Sequence, residues 1–375
     1  MLEESAEMRG LLAAGQLAIG CLDTWLMLKL SGREGWKQHP QQQQQQCFIT
    51  EPSSASSTGM FDPFTSDWGR PILRLLGFPD PCAVLPALAE TTRLGLHTDP
   101  ELFGRAIPIN ASLGDSQAAA FGAGCIRRGD PENFVRHRHT FRLRMYPLVA
   151  WRLDGRSTHL LEGRSNDVAS AIHWAQSIGL MPAHDAAAPE GDLDGATDDD
   201  GDGSLCFVPA FGGLQTPVGD DFACAALMVE SAPSQRVGTL CTRCSTRWRS
   251  ASTKFGCVWL RKCRRHVTAV AAFAVVAVCR ATRAFANASQ RSLVVQVERA
   301  REPQFCSARG AALLAGIGAG LWTLDQVDST AGDQSLVHVE HVFHPQTGAA
   351  AAALQLRFRR WREAQRRCLH YYEHN

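Results

Sequence analysis

The segment that most constrains this chain is Ile107-Pro108-Ile109-Asn110-Ala111-Ser112-Leu113-Gly114-Asp115-Ser116-Gln117-Ala118. Positions 106–110 read as a strand and Leu113-Gly114-Asp115 as a turn. Positions 116–125 carry small apolar residues at helical spacing, suited to close helix packing. At the junction stands one carboxylate, Asp115, where the N–H groups that open a helix favour negative charge. Two roles fit it. One is a helix N-cap, the commoner use of Asp in such a place. The other is a base that takes a proton from an alcohol, which is what phosphoryl transfer asks of a protein beyond positioning and Mg²⁺.

The rest of the chain repeats the alternation. Residues 1–33 read as a helix running into a strand-like 25–30, closed by Gly32. The six glutamines 41–46 form a solvated loop. A short strand is expected at 48–50, a Ser-rich loop at 52–59 and a helix from Pro71 to Leu76. Further on come a helix at 167–178, an acidic Gly-rich loop at 191–203 and a buried strand at 207–210 before the Gly212-Gly213 turn. A small-residue helix at 310–321 and a basic amphipathic helix at 349–372 complete the chain. Strands alternating with helices argue for α/β layers, and 375 residues suffice for two domains.

Composition narrows the class. Apolar residues make up 45% and charged ones 20%, as in a soluble globular protein. A net charge of +1 gives no global pointer to nucleic acid or a membrane surface. The longest apolar run, 267–279, is too short to span a bilayer. Thirteen scattered cysteines behind a start without a secretory leader fit a reduced, cytoplasmic setting. The sequons at Asn110 and Asn287 would then go unused. One stretch departs from the average: residues 231–300 hold 13 Lys or Arg, five cysteines and a single acid, Glu298. Within it Cys241-x-x-Cys244, Cys257, Cys263 and His266 lack the second pair of a zinc site, so no metal ligands are assigned. Asp198, Asp200 and Asp202 copy half of a calcium loop, but Pro209 stands where its last Glu belongs.

Several segments resemble the FGGY carbohydrate kinase family, in its order. Gly114-Asp115-Ser116-Gln117-Ala118-Ala119-Ala120-Phe121-Gly122 matches the family's G-D-x-Q-A-A-x-F-G segment, whose Asp is the catalytic base. Residues 15–26 are similar to the G-T-x-D-T-W-L strand of glycerol kinases, and 48–62 to their T-D-x-S-x-A-S-R-T loop. Residues 207–217 resemble V-P-A-F-x-G-L-x-A-P and 310–316 resemble G-A-A-x-L-A-G. Phe343-x-Pro345 and Trp361 fit the terminal pattern. The 52–59 stretch and Leu214-Gln215 are most similar to the glycerol kinase 5 branch.

The resemblance implies two RNase H-like α/β domains of the actin and hexokinase type around a cleft. Residues 1–124 would be the remnant of a polyol-binding domain and 125–375 a nucleotide-binding one. It implies transfer of the ATP γ-phosphoryl group to glycerol with Mg²⁺, Asp115 being the base and Ser116 and Gln117 lying beside the polyol. Ala169 and His173 would fall near the nucleotide. A homo-oligomer is compatible with it, and neither nucleic acid nor a membrane span is implied.

Four departures stand against full competence. The family's first phosphate-binding strands would precede Met1. Its G-T-G-T loop is replaced by 133–139, and Ser116 stands where most relatives have Gln. Its D-G-G-V-x-x-N segment is missing from 231–300. With suitable codons, a shift of one or two bases gives both lost motifs, so 131–145 and 231–296 are read as out-of-frame stretches. Two alternatives remain open: a xylulose or ribulose kinase, and a kinase-like binding protein without catalysis.

Overall fold

The computed structural model describes residues 5–31, 47–78, 84–126, 146–163, 170, 173–174, 176–178, 205–216, 218–229, 297–327, 335–343 and 347–373. The glutamine tract, the acidic loop up to residue 203, residue 345 and the stretches 131–145 and 231–296 lie outside them.

The first part runs α1 (Ala6–Ala13), α2 (Leu22–Leu30), β1 (Ile49–Thr50), α3 (Pro52–Ser56), β2 (Phe61–Asp62), β3 (Asp67–Trp68) and α4 (Arg70–Leu75). It continues with β4 (Ala87–Leu88), β5 (Thr92–His97), α5 (Pro100–Phe103), β6 (Pro108–Ala111) and α6 (Asp115–Gly122). A hairpin of β7 (Tyr146–Leu153) and β8 (Arg156–Glu162) follows, then β9 (Leu205–Val208) and β10 (Ala226–Val229). Last come β11 (Val297–Ala300), α7 (Cys306–Gly318), α8 (Leu324–Val327), β12 (Val339–Phe343) and α9 (Gly348–Arg367).

Among the described residues the strands pair two by two. β1 lies parallel to β4, and the other pairs, β5 with β6, β7 with β8, β9 with β10 and β11 with β12, are antiparallel, as are β2 and β3. The β7–β8 turn uses Asp154 and Gly155 at φ 49° and 74°, the pair of positive values that matches strand twist in a tight hairpin.

Four apolar clusters among the described residues hold these pieces, the smallest being Met27, Ile49 and Leu96. The first joins Phe121 of α6, Ala150 and Trp151 of β7, and Leu313 and Leu314 of α7. Phe121 and Trp151 meet edge to face, with centroids 5.0 Å apart. The second gathers Ala55, Phe61, Trp68, Leu73 and Val149. The third packs Val208 and Leu214 on Ala364 and Cys368, and the buried Trp361 indole donates to the Phe207 carbonyl at 2.9 Å. β7 thus feeds two clusters, its register shifting between Val149 and Trp151.

α6 and α7 touch backbone to backbone. A Cβ on Gly122 would lie 2.0 Å from the Cys306 carbonyl oxygen, and one on Gly310 would lie 1.8 Å from that of Ala118. No side chain larger than hydrogen fits at either place. The small residues expected at 116–125 and 310–321 are explained by this crossing.

Local assignments change in several places. Residues 25–30 are helical, not strand-like: Thr24 and Met27 face inward while Leu22, Trp25 and Leu26 are exposed, a helical division of faces. Part of the Ser-rich 52–59 loop is the helix α3, opened by a Glu51 cap and Pro52. The expected 310–321 helix starts earlier, at Cys306, and the 349–372 helix ends at Arg367. Of the 167–178 helix, positions 170, 173–174 and 176–177 are described and helical.

Candidate active site

The cap of α6 is Gly114, which is extended and offers no side chain, so Asp115 opens the helix without capping it. The N-cap position weighed from sequence is thus held by Gly114, and Asp115 is the first residue of the helix. The Asp115 carboxylate instead bends onto its neighbour, accepting from the Ser116 N–H at 2.7 Å. Asp115 and Ser116 are both exposed. The Asp115 carbonyl accepts from the Ser307 hydroxyl at 3.1 Å, which ties the start of α6 to the start of α7. At the other end Arg309 donates to the Gly122 carbonyl at 3.3 Å, a cation at a helix C-terminus.

Gln117 faces the other way. It is 4% exposed, and its Oε1 lies 2.5 Å from where a Cβ of Gly114 would stand. A side chain at 114 would oblige the end of the Gln117 side chain to move. Behind the turn the Ser53 hydroxyl accepts from the Gly114 N–H at 2.8 Å and itself donates to Glu51. The buried Glu51 carboxylate also accepts from the N–H groups of Ser53 and Ser54 at 2.9 and 2.7 Å and from the Thr91 hydroxyl at 3.2 Å. Burial pushes the Glu51 carboxyl above its ordinary value, against the pull of the hydrogen bonds from Ser53 and Ser54. Asp23 of α2 holds the same strand end, accepting from the Thr50 hydroxyl at 2.7 Å and the Glu51 N–H at 3.3 Å. Burial lifts the nearby Cys21 thiol to about 11, aided by Asp23 and Glu51, so it stays protonated and is a poor nucleophile.

The model of the FGGY family of carbohydrate kinases, N-terminal domain, matches residues 5–122, from α1 to the last residue of α6. Residues 5–122 thus carry the N-terminal domain of the FGGY carbohydrate kinase family. It is 31% identical over 239 residues to glycerol kinase 5 of Mus musculus, covering 61% of this chain and 41% of that protein. It is 34% identical over 225 residues to the glycerol kinase of Staphylococcus haemolyticus, covering 57% and 42%. This chain therefore spans about two fifths of the length of these curated relatives. The solved structure of Plasmodium falciparum glycerol kinase with ADP superposes with a TM-score of 0.76 at 18% identity, covering 98% of this chain and 70% of that one. The fold is accordingly the two-domain, actin- and hexokinase-like α/β fold of FGGY kinases.

The sequence brought Asp115, Ser116 and Gln117 together, and the structure puts the first two at the surface and the third inside. His173 is exposed on its helical turn, and beside it Trp174 stacks on Phe207 with centroids 5.4 Å apart. Ala169 lies outside the described residues. Sequence reading missed Glu51, Ser53 and Thr91. A signal for the first was present: an acidic residue before Pro-Ser-Ser has the pattern of a capped helix start.

Proposed function

We propose that this chain carries the polyol end of a glycerol kinase site, where the ATP γ-phosphoryl group passes to a primary hydroxyl of glycerol to give glycerol 3-phosphate. Asp115 would accept the hydroxyl proton, and Ser116 and Gln117 would border the polyol. The carrying observation is that Asp115 is an exposed carboxylate at a helix start that it does not cap, on a turn fixed from behind by buried groups. A base must meet the proton it takes, and such a carboxylate is free to do so. In this reading residues 1–124 belong to the polyol domain and 125–375 to the nucleotide domain, with His173 and Ala169 on the nucleotide side. The cytoplasmic setting and a homo-oligomeric state stay part of the proposal.

Among the described residues no three His, Cys, Asp or Glu side chains gather where they could hold a metal ion. They do not by themselves make a Mg²⁺ site. The contribution argued for these residues is thus positioning and proton acceptance. The replaced G-T-G-T loop at 133–139 favours a second reading, a kinase-like protein that binds glycerol with little turnover.

Calorimetry with glycerol and a coupled ADP-release assay on the full chain test both. Expected are glycerol binding lost in Asp115→Ala, and Asp115-dependent turnover far below the roughly 1–100 s⁻¹ usual for kinases. Glycerol binding that survives Asp115→Ala would overturn the site. Turnover within that range would remove the second reading.

A further inference from the structure

We propose that Glu51 is the positioning residue of the Asp115 turn, acting through the Ser53 hydroxyl, while the Thr91 hydroxyl extends the same control to β7. The inference rests on the reading of Asp115 as the group that meets the polyol.

Glu51 is 1% exposed. As the cap of α3 it needs to satisfy only the Ser53 and Ser54 N–H groups. Its remaining lone pairs take two hydroxyl protons, those of Ser53 and Thr91. In its ionised form this carboxylate has no proton to give. Both hydroxyls must therefore point their protons at Glu51 and their lone pairs away from it. Each lone pair meets a main-chain N–H: Gly114 at 2.8 Å on the Ser53 oxygen, and Arg152 at 2.9 Å on the Thr91 oxygen. One buried carboxylate thus sets the direction of two hydrogen bonds that leave its own helix.

The two bonds end at different kinds of place. Gly114 immediately precedes Asp115, so a shift of its N–H carries the carboxylate with it. Arg152 lies in β7, where the Thr91 N–H also donates back to the Arg152 carbonyl at 3.0 Å. Replacing Glu51 by Gln puts a donor among donors, and at least one of the four partners must turn or break. Replacing Ser53 by Ala removes the branch to Gly114 and leaves the one to Arg152.

The test compares the full-length chain with Glu51→Gln, Ser53→Ala and Ser53→Thr by residue-resolved amide exchange, glycerol calorimetry and melting temperature. Expected is lost protection at Gly114 alone in Ser53→Ala, regained in Ser53→Thr, and lost at both Gly114 and Arg152 in Glu51→Gln. Ser53→Ala should also weaken glycerol binding by about tenfold, the scale of one hydrogen bond, with a smaller relative change in melting. Unchanged Gly114 protection in Ser53→Ala overturns the proposal. So does a Glu51→Gln variant that folds and keeps both amides protected. If Glu51→Gln does not fold, the Ser53 pair decides alone. If glycerol fails to bind even the unaltered chain, the reading of Asp115 falls, while the exchange pattern still decides whether Glu51 directs the turn.

Discussion

The two ends of α6 are held in opposite ways. At Ala118–Gly122 the helix lies against α7 with no side chain between them, and an added Cβ would run into a carbonyl oxygen. At Gly114–Asp115 it is held by directed bonds, the Gly114 N–H donating to the Ser53 hydroxyl and the Ser307 hydroxyl donating to the Asp115 carbonyl, with the Asp115 carboxylate in the open. Close packing fixes distance and excludes water. Hydrogen bonds fix direction and can do so beside water. A helix that must be anchored to a second layer and yet offer a reactive group needs both, and here they are divided between its ends.

The largest expected effect falls on the polar end. Asp115→Asn should lower whatever Asp115-dependent ADP release the chain supports by roughly 10²–10⁴-fold, the usual worth of a general base. The unfolding midpoint should stay in place, because the carboxylate's polar contacts are with exposed Ser116. A fall in the midpoint would break the contrast and make Asp115 part of the scaffold.

The packed end should answer the other way. Gly310→Ala drives a methyl to within 1.8 Å of the Ala118 oxygen. Overpacking of this kind costs about 1–3 kcal/mol, against a gain of about 1 kcal/mol for Ala over Gly within a helix. Urea unfolding should show a net loss, and an unchanged midpoint would mean that the helices separate freely.

A smaller effect comes from Glu51. Its folded carboxyl holds the proton more tightly than the unfolded one, whose ordinary value is 4.5. The associated stability is complete below that value and is lost as pH rises through the folded one. Chemical denaturation from pH 4 upward should therefore show a decline that Glu51→Gln lacks. The smallest belongs to the exposed pair of Arg93 and Asp154, 3.1 Å apart. Arg93→Ala should change stability by less than about 1 kcal/mol, which sets the floor for the other three comparisons.

What could be read in advance follows the reach of the interactions. The strand-turn-helix unit at 106–122 was legible because each piece is encoded locally, by apolar content, by Gly114 and by small residues at helical spacing. The α2 segment misled because Trp25-Leu26-Met27-Leu28 is a continuous apolar run, in which period two and period 3.6 look alike. For α3 the local signals existed, in the Glu51 cap and Pro52, but the serines outweighed them. The β7–β8 hairpin announced itself in Asp154-Gly155, a strong turn pair, and was passed over. Within the candidate site, Asp115 carried a motif. Glu51, Ser53 and Thr91 did not, because what joins them to Gly114 and Arg152 spans 61 residues of sequence in each case. No periodicity encodes such a bond; only the folded chain brings its ends together.

β7 carries a consequence of its own. Val149 belongs to one apolar cluster, while Ala150, at the register shift, and Trp151, beyond it, belong to another. Neither cluster can come apart without drawing on the same few residues. The strand therefore acts as shared masonry between two rooms, and melting of one side is thermodynamically tied to melting of the other. That short stretch of backbone is one source of cooperativity between these parts of the chain.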